Sequence, residues 1–221
     1  MDIILTPIEA RVLGSLIEKQ ITTPDYYPLT LNSLTSACNQ KSNRDPIMNL
    51  DEKAVVRALD SLRQKHMVWQ KNTAEGRVPK YAHGIQDIFT FSPQELGVLC
   101  ILLLRGAQTA GEIRGRTARL YEFHDLAELE TTLQKLMDRE DGPMVMKLPR
   151  LVGHRECRYT HLFCGEVEID EKSLILPPET ATLEVQAENE RILELEQKVD
   201  SLQKGLDELK QQFAEFIRQF E

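Results

Sequence analysis

The fold is decided by the stretch DEKAVVRALDSLRQKHMVWQKNTAEGRVPKY, residues 51–81. Its acidic start favours a helix N-terminus, and its apolar residues then recur at helical spacing, which predicts a helix over about 51–65. The residues expected to face inward are Val55, Val56, Leu59 and Leu62. The remainder predicts two short strands, 67–70 and 78–81, joined by a turn at Glu75-Gly76.

Two shorter helices are predicted upstream of this stretch. Thr6 followed by Pro7 and Glu9 is typical of a capping box at the start of a helix that ends near Lys19. Thr30 is the expected cap of a second helix, which carries Leu31, Leu34, Thr35 and Cys38. The resulting order of three helices and a hairpin is that of a winged helix-turn-helix.

The same order returns downstream, which predicts an internal duplication. Ser92 is expected to cap a helix, followed by a short helix at about 109–115, a longer one at 125–139, and strands at 144–148 and 156–163. The residues of the longer helix expected to face inward are Leu126, Leu129, Leu133 and Leu136.

The last 41 residues predict a coiled coil. Apolar residues alternate there at spacings of three and four, which is the a/d pattern of a heptad seam. The seam consists of Ile192, Leu195, Val199, Leu202, Leu206, Leu209, Phe213, Phe216 and Phe220. It needs a partner, either a second copy of the chain or the body of the same chain, and we expect a homodimer.

The predicted architecture is therefore mainly α with small β-hairpins (α+β). It comprises winged-helix domain 1 (1–86), winged-helix domain 2 (87–165), a linker (166–180) and a coiled-coil helix (181–221).

Charge is distributed unevenly along the 221 residues. The net charge is −8, yet residues 179–221 hold 11 acidic and 5 basic side chains, so most of the excess lies in the tail. Residues 40–83 hold nine basic and five acidic side chains. A local positive charge in an acidic protein favours a polyanionic partner at that segment.

The longest apolar run, 98–104, is too short to span a bilayer, and the N-terminus lacks the features of a signal peptide. We expect a cytoplasmic protein that does not act at a membrane. The four cysteines, at irregular spacing, are expected to be reduced thiols.

The third helix of the first unit is the candidate DNA-reading element, because Arg and Gln can read base edges and Lys can pair with phosphates. The loop before it and the hairpin after it add further basic and polar side chains. The candidate DNA-binding residues are Lys41, Ser42, Asn43, Arg44, Lys53, Arg57, Gln64, Lys71, Arg77 and Lys80. The alternative is an ordinary solvated helix face.

The second unit forms a weaker candidate, because its long helix carries four acidic and two basic residues and would repel phosphate. A secondary basic surface surrounds it: Arg114, Arg116, Arg119, Arg150, Arg155 and Arg158. These arginines could touch DNA phosphates or pair with the acidic helix or tail.

No cofactor, metal or catalytic site is predicted. His154, Cys157, His161 and Cys164 have ligand-like spacing, but a strand over 156–163 would point them to opposite faces. Phosphate-binding glycine loops and the nucleophile-elbow motif are absent from the sequence. We therefore do not expect an enzyme.

Several motifs resemble the YceH family of uncharacterised bacterial proteins. They are TPDYYPLTLNSL (23–34), ACNQKSNRDP (37–46), Leu99-Cys100, LLRG (103–106), Gly142-Pro143, LPR (148–150) and RYTHLF (158–163). The resemblance covers about residues 5–165 and implies a tandem winged-helix fold, but little about function. It also singles out the polar connection between the second and third helices, which is far longer than an ordinary helix-turn-helix turn. Asn39, Gln40, Asn43 and Arg44 could hold this loop in place or present donors to phosphate.

The leading hypothesis is a transcription-regulating protein that binds double-stranded DNA through its first unit and dimerises through its tail. The alternative is a protein-interaction scaffold, similar to the acidic tandem winged-helix subunits that bind kleisins in chromosome segregation. In a third hypothesis, the acidic tail covers the basic first unit as a mimic of DNA.

Overall fold

A computed structural model describes residues 3–71, 78–150 and 156–165, together with residues 191 and 198 taken singly. The predicted linker, the seam residues of the predicted coiled coil and the tip of the first hairpin at 72–77 lie outside the described residues. The described chain is an α+β structure of helices and small antiparallel sheets. None of its helices is long and apolar enough to cross a membrane.

The first half of the described chain contains three principal helices and a three-stranded sheet. In chain order its elements are α1 (Pro7–Thr22), a 3-10 turn (Pro24–Tyr26), β1 (Leu29–Thr30), α2 (Leu31–Cys38), α3 (Glu52–Gln64), β2 (Val68–Lys71) and β3 (Lys80–His83). The strand order is β1-β3-β2, with both pairs antiparallel.

The second half has the same element order. A single helical turn, α4 (Ile85–Ile88), leads into α5 (Pro93–Arg105), β4 (Gln108–Thr109), α6 (Ala110–Thr117), α7 (Leu126–Met137), β5 (Val145–Lys147) and β6 (Arg158–His161). The strand order β4-β6-β5 has the same arrangement as that of the first sheet. The predicted repetition of elements is therefore present in the described residues.

The principal differences from the sequence-based prediction are at the strands. The two-residue strands β1 and β4 were not predicted, because each is too short for an alternating pattern and runs directly into a helix. Thr30 and Thr109 end these strands and at the same time cap α2 and α6, accepting from Ser33 and Glu112 backbone N–H groups. One threonine thus serves two elements in each half.

Two predicted inward-facing residues are less buried than expected. Val56 is half-buried, and Ala58 occupies the buried stripe of α3 in its place. Leu126 is 42% exposed because it is the first residue of α7, before the helix reaches the core. The remaining predicted apolar positions of both helices are buried.

The first helix of each half begins with a capping box. Thr6 and Glu9 form a capping box at α1, and Ser92 and Glu95 form one at α5. Glu9 also pairs with Lys65, just after α3, at 2.8 Å, and Glu95 lies 3.9 Å from Arg139, just after α7. Because both glutamates are largely buried, each pair ties the start of the first helix to the end of the third.

The central strands carry related sequences, KYAH in β3 and RYTH in β6. Each ends in a histidine, His83 or His161, and burial lowers the pKa of both to about 4. His83 Nε2 is hydrogen-bonded to Gln20 Oε1, so a neutral ring with its proton on Nε2 satisfies this contact. The fold therefore holds these side chains as neutral imidazoles.

The two halves share a continuous apolar core, in which α1 packs directly against α5. Gly14 allows this close approach, since a Cβ there would lie 3.0 Å from the Leu104 side chain. Cys100 Sγ donates to the Gly14 carbonyl at 3.5 Å, in the same contact. The assignment of the halves to separate domains stays a prediction.

We predict that acidification destabilises the protein through His83. Its pKa is about 4 when folded and about 6.5 when unfolded, so below pH 6.5 the unfolded chain takes up a proton that the folded chain does not. Stability contributed by the neutral ring is complete above pH 6.5 and is lost progressively towards pH 4. Between pH 7 and 5 this amounts to about 1–2 kcal/mol of unfolding free energy.

Urea unfolding of His83→Gln at the two pH values measures this contribution. The variant is expected to lose about 1–2 kcal/mol less on acidification than the unmodified chain. His124→Gln, at an exposed histidine, is the control and should retain the full pH dependence. Equal pH dependence in all three chains would contradict the prediction.

Candidate nucleic-acid interface

The outer face of α3 presents the side chains that the sequence singled out. Asp51 caps the helix by accepting from the Ala54 N–H at 2.8 Å. The core-facing stripe is buried, while Lys53, Arg57 and Gln64 on the remaining surface are exposed. Charge and amide groups on this face are therefore available to a partner in solvent.

Two lysines lie opposite each other at the end of the first hairpin's ladder, next to the hairpin loop. In the register of β2 with β3, Lys71 lies directly opposite Lys80. Like charges at such cross-strand positions destabilise a sheet unless an anion neutralises them. Lys71 is exposed and Lys80 half-buried, whereas Arg77, also predicted to bind DNA, lies outside the described residues.

Exposed Trp69 stands beside this lysine pair on β2. Its side chain is 44% exposed, and its indole Nε1 donates to Asp87 at 2.6 Å. A surface groove between the end of α3 and β2 is lined by Gln64, His66 and Trp69. The ring of Trp69 thus lies beside the polar face of α3. Trp69 was not among the DNA-binding residues predicted from the sequence.

The loop between α2 and α3 is anchored by Asn39. The amide of Asn39 donates to the Leu50 carbonyl and accepts from the Leu50 N–H, both at 2.8 Å. These two bonds close the ends of the loop, so Asn39 holds the loop rather than facing a ligand.

Arg44 is buried at the centre of the same loop. Its side chain is 0% exposed, and Nη2 lies 2.6 Å from a carboxylate oxygen of Glu18. Its Nε and Nη2 also donate to the Ala37 carbonyl, at 3.1 and 2.9 Å. The proposed DNA contact by Arg44 is therefore a wrong prediction, because this guanidinium is enclosed and fully paired.

A second buried arginine was missed by the sequence analysis. Arg11 on α1 is 1% exposed and donates to the carbonyls of Cys38 and Pro46, at 3.1 and 2.6 Å. Burial lowers its pKa, and the neighbouring charge of Arg44 lowers it further. A single arginine in an apolar helix pattern gave no signal that distinguished it from a surface residue.

Gln40 of this loop is half-buried, and the other loop residues predicted to bind DNA are exposed. Lys41 and Ser42 lie on the surface, and Asn43 has a left-handed backbone with φ of 61°. The Asn43 side chain accepts a hydrogen bond from Arg105 at the end of α5. The loop of the first half therefore contacts the second half, which brings Lys41 close to basic residues distant in sequence.

The secondary basic surface is partly neutralised within the protein. Arg116 pairs with Glu112 at 3.2 Å. The pKa of Glu112 is lowered mainly by a hydrogen bond from the Thr109 backbone N–H, and the charges of Arg116 and Arg158 lower it further. Arg114 donates to the His124 carbonyl at 3.0 Å. Arg119 and Arg150 are exposed, whereas Arg155 lies outside the described residues.

A cleft joins basic residues that the sequence analysis had placed in two separate sets. Lys41 from the first set lines it together with Arg116 and Arg119 from the second. Lys19 and Arg105, which the sequence analysis did not select, complete its basic lining. Only the packing of α1 on α5 brings these five side chains together.

The exposed charged residues of α7 and of its two capping positions are mostly acidic. Glu130 and Asp138 are exposed there, along with Lys135.

His154, Cys157, His161 and Cys164 have the spacing of metal ligands in the sequence. His154 lies outside the described residues, so the structure does not describe the four together. Within the described part, no group of three or more His, Cys, Asp or Glu side chains is positioned to hold a metal ion.

Comparison with known proteins identifies the family. Residues 5–154 match the profile described as "Protein of unknown function, DUF480". A UPF0502 protein of Geobacter sulfurreducens is 52% identical over 221 residues, covering the whole of both chains. The chain belongs to this family, which is the YceH family of the earlier resemblance.

Other family members span the same length. A UPF0502 protein of Geotalea uraniireducens is 51% identical over the whole of both chains. One from Vibrio parahaemolyticus is 49% identical over 98% of this chain and 100% of its own. The similarity to these UPF0502 proteins thus includes the tail that follows the part matched by the DUF480 profile.

We predict that loss of the Arg44–Glu18 pair strongly destabilises this DUF480 protein. Glu18→Gln leaves the enclosed Arg44 guanidinium without its carboxylate, and removing one partner of a buried pair costs about 3–5 kcal/mol. Because the Glu18 side chain is 14% exposed, we expect the lower part of that range.

Chemical denaturation of Glu18→Gln and of Asp60→Asn tests this difference. Asp60 lies 3.6 Å from Arg63, and both side chains are well exposed, so this control should change the unfolding free energy by less than about 1 kcal/mol. A similarly small effect of Glu18→Gln would show that the buried pair does not anchor the loop.

Proposed function

We propose that this protein is a non-enzymatic, tandem winged-helix regulator of transcription that acts in the cytoplasm and binds double-stranded DNA through its first half. The observation that carries the proposal is the exposed row of Lys53, Arg57 and Gln64 on α3, followed in the same half by the paired lysines of the hairpin.

The position of α3 supports this proposal. Three helices followed by an antiparallel hairpin are the elements of a winged helix, and the third helix is the one that enters the major groove. There Arg57 and Gln64 would reach base edges while Lys53 pairs with phosphate. Lys71 and Lys80 would neutralise phosphates beside the groove, which would remove their mutual repulsion.

The second half supports a different role in the same protein. Its equivalent helix, α7, exposes acidic side chains, and these would repel DNA. A protein-interaction scaffold, comparable with kleisin-binding subunits, is therefore the second candidate function.

We also propose that the protein forms a homodimer through the heptad seam from Ile192 to Phe220. This proposal rests on the sequence pattern, since the seam lies outside the described residues. A dimer would present two copies of α3 to two half-sites, which increases affinity and fixes their spacing.

Single substitutions on α3 are predicted to weaken duplex binding. Lys53→Ala should reduce the slope of log affinity against log salt by about one, because each neutralised phosphate contributes about 0.9. Arg57→Ala removes a base-edge contact and should lower the affinity with little change of slope. Fluorescence anisotropy with a labelled random duplex, over a series of salt concentrations, measures the slope.

Lys135→Ala provides the matched control, because it removes one exposed charge from the equivalent helix of the second half. Its slope should equal that of the unmodified protein. An unchanged slope for Lys53→Ala together with an unchanged affinity for Arg57→Ala would exclude α3 as the contact, and the absence of duplex binding at low salt would favour the scaffold.

The seam is predicted to determine the oligomeric state. Leu202→Asp combined with Leu209→Asp places two charges at d positions and should convert a dimer into a monomer, as measured by light scattering after gel filtration. Gln197→Asp combined with Gln211→Asp adds the same charge at outward f positions and should remain dimeric. A monomeric unmodified chain would remove the dimer from the proposal.

A further inference from the structure

A cleft of about 630 Å³ lies where the two halves of the described chain meet. Its walls come from the last turns of α1, the loop residues Gln40–Asn43, the end of α5, and α6 with the residues that follow it. The volume is within the range of sites for small molecules. The walls are contributed by parts of the chain up to about 100 residues apart in sequence.

Basic side chains dominate the lining of the cleft. They are Lys19, Lys41, Arg105, Arg116 and Arg119, against one carboxylate, Glu18. That carboxylate is already paired with the buried Arg44 at 2.6 Å, so it offsets little of the remaining charge. The cleft is therefore a region of concentrated positive charge in a protein with a net charge of −8.

Several of these cations retain unused binding capacity. Lys41 and Arg119 are exposed, and neither has a carboxylate of the described residues within 4.0 Å. Arg105 Nε is buried and has no hydrogen-bond partner in the described chain. Burial lowers the pKa of Arg105, and the charges of Arg116 and Arg44 lower it further, which shows how closely these cations are placed.

Apolar side chains form another part of the same surface. Ile101 and Leu104 of α5 line the cleft, together with the half-buried Leu120. Because Ile101 and Leu104 are only 7% and 1% exposed, Leu120 provides most of the apolar surface that is open to the cleft. A purely inorganic anion would leave this surface uncovered, whereas an organic group beside the charged part of a ligand could cover it.

We propose that this cleft binds a small organic anion that carries two or more phosphate groups. Arginine forks and lysine ammonium groups are the usual protein partners of phosphate. The phosphates would lie between Lys41, Arg116 and Arg119, and the organic group would cover Ile101 and Leu120. This site is separate from the DNA-binding face proposed for α3, and Lys41 belongs to the cleft.

Isothermal titration calorimetry on the full chain, with pyrophosphate and with ADP as probes in magnesium-free buffer, tests the proposal. One molecule of either probe per chain should bind, and ADP should bind more tightly because its nucleoside adds apolar contact. Lys41→Ala combined with Arg119→Ala should weaken both probes by at least about tenfold, since each substitution removes a charge-assisted contact.

Lys53→Ala combined with Arg57→Ala is the matched control, because it removes the same two residue types from the exposed face of α3. This control should leave the affinity for both probes unchanged. Equal weakening by the two double variants, or no saturable binding of either probe, would overturn the cleft as a ligand site.

Two further outcomes identify the ligand class. ADP binding no tighter than pyrophosphate would overturn the assignment of Ile101 and Leu120 to an organic group. If only a short duplex responds to Lys41→Ala with Arg119→Ala, the cleft is a nucleic-acid surface and the proposal is wrong. Duplex binding itself is measured separately, so failure of the DNA-binding proposal would leave the calorimetric result intact.

Discussion

Enclosure of two arginines beneath one loop is the constraint on which both candidate sites depend. Arg11 and Arg44 each place a guanidinium in the interior, where an unpaired charge would be prohibitively costly. The Glu18 carboxylate and the carbonyls of Ala37, Cys38 and Pro46 compensate them. Because those carbonyls belong to the end of α2 and to the loop, the pairing fixes the course of the loop. The loop in turn leads into α3 and supplies one wall of the basic cleft.

The two halves show how one scaffold can carry different surfaces. Both use a capped first helix, a buried glutamate tied to a base beyond the third helix, and a neutral histidine at the end of the central strand. These shared features lie in the core or at helix ends, where the fold requires them. The exposed faces of α3 and α7 carry no such requirement, and there the balance of charge differs: with their capping residues, α3 exposes three basic and three acidic side chains, whereas α7 exposes one basic and three acidic. Their functions are therefore expected to differ although their folds correspond.

Like charges placed close together are the common physical feature of the two candidate sites. Lys71 lies opposite Lys80 in the hairpin, and Arg105 lies near Arg116 in the cleft. Such neighbours repel each other in the isolated protein, and an anion reverses the sign of that contribution. The structure thus contains two separate places where binding an anion would relieve internal repulsion. A folded surface selected only for stability would avoid both arrangements.

Local sequence patterns determined the principal helices and the repeated order of elements, because caps and apolar spacing act within a few residues of one another. The related strands KYAH and RYTH, and the paired starts TPIE and SPQE, are further signals of repetition that the sequence already contained. The short strands β1 and β4 escaped prediction because two residues hold no periodicity. Only the tertiary structure decided that Arg44 is buried while Lys41, three residues earlier, is exposed. The packing of α1 against α5 decides which charges are exposed, and it brings Lys41 close to Arg116 and Arg119. No local sequence pattern encodes this contact between the two helices.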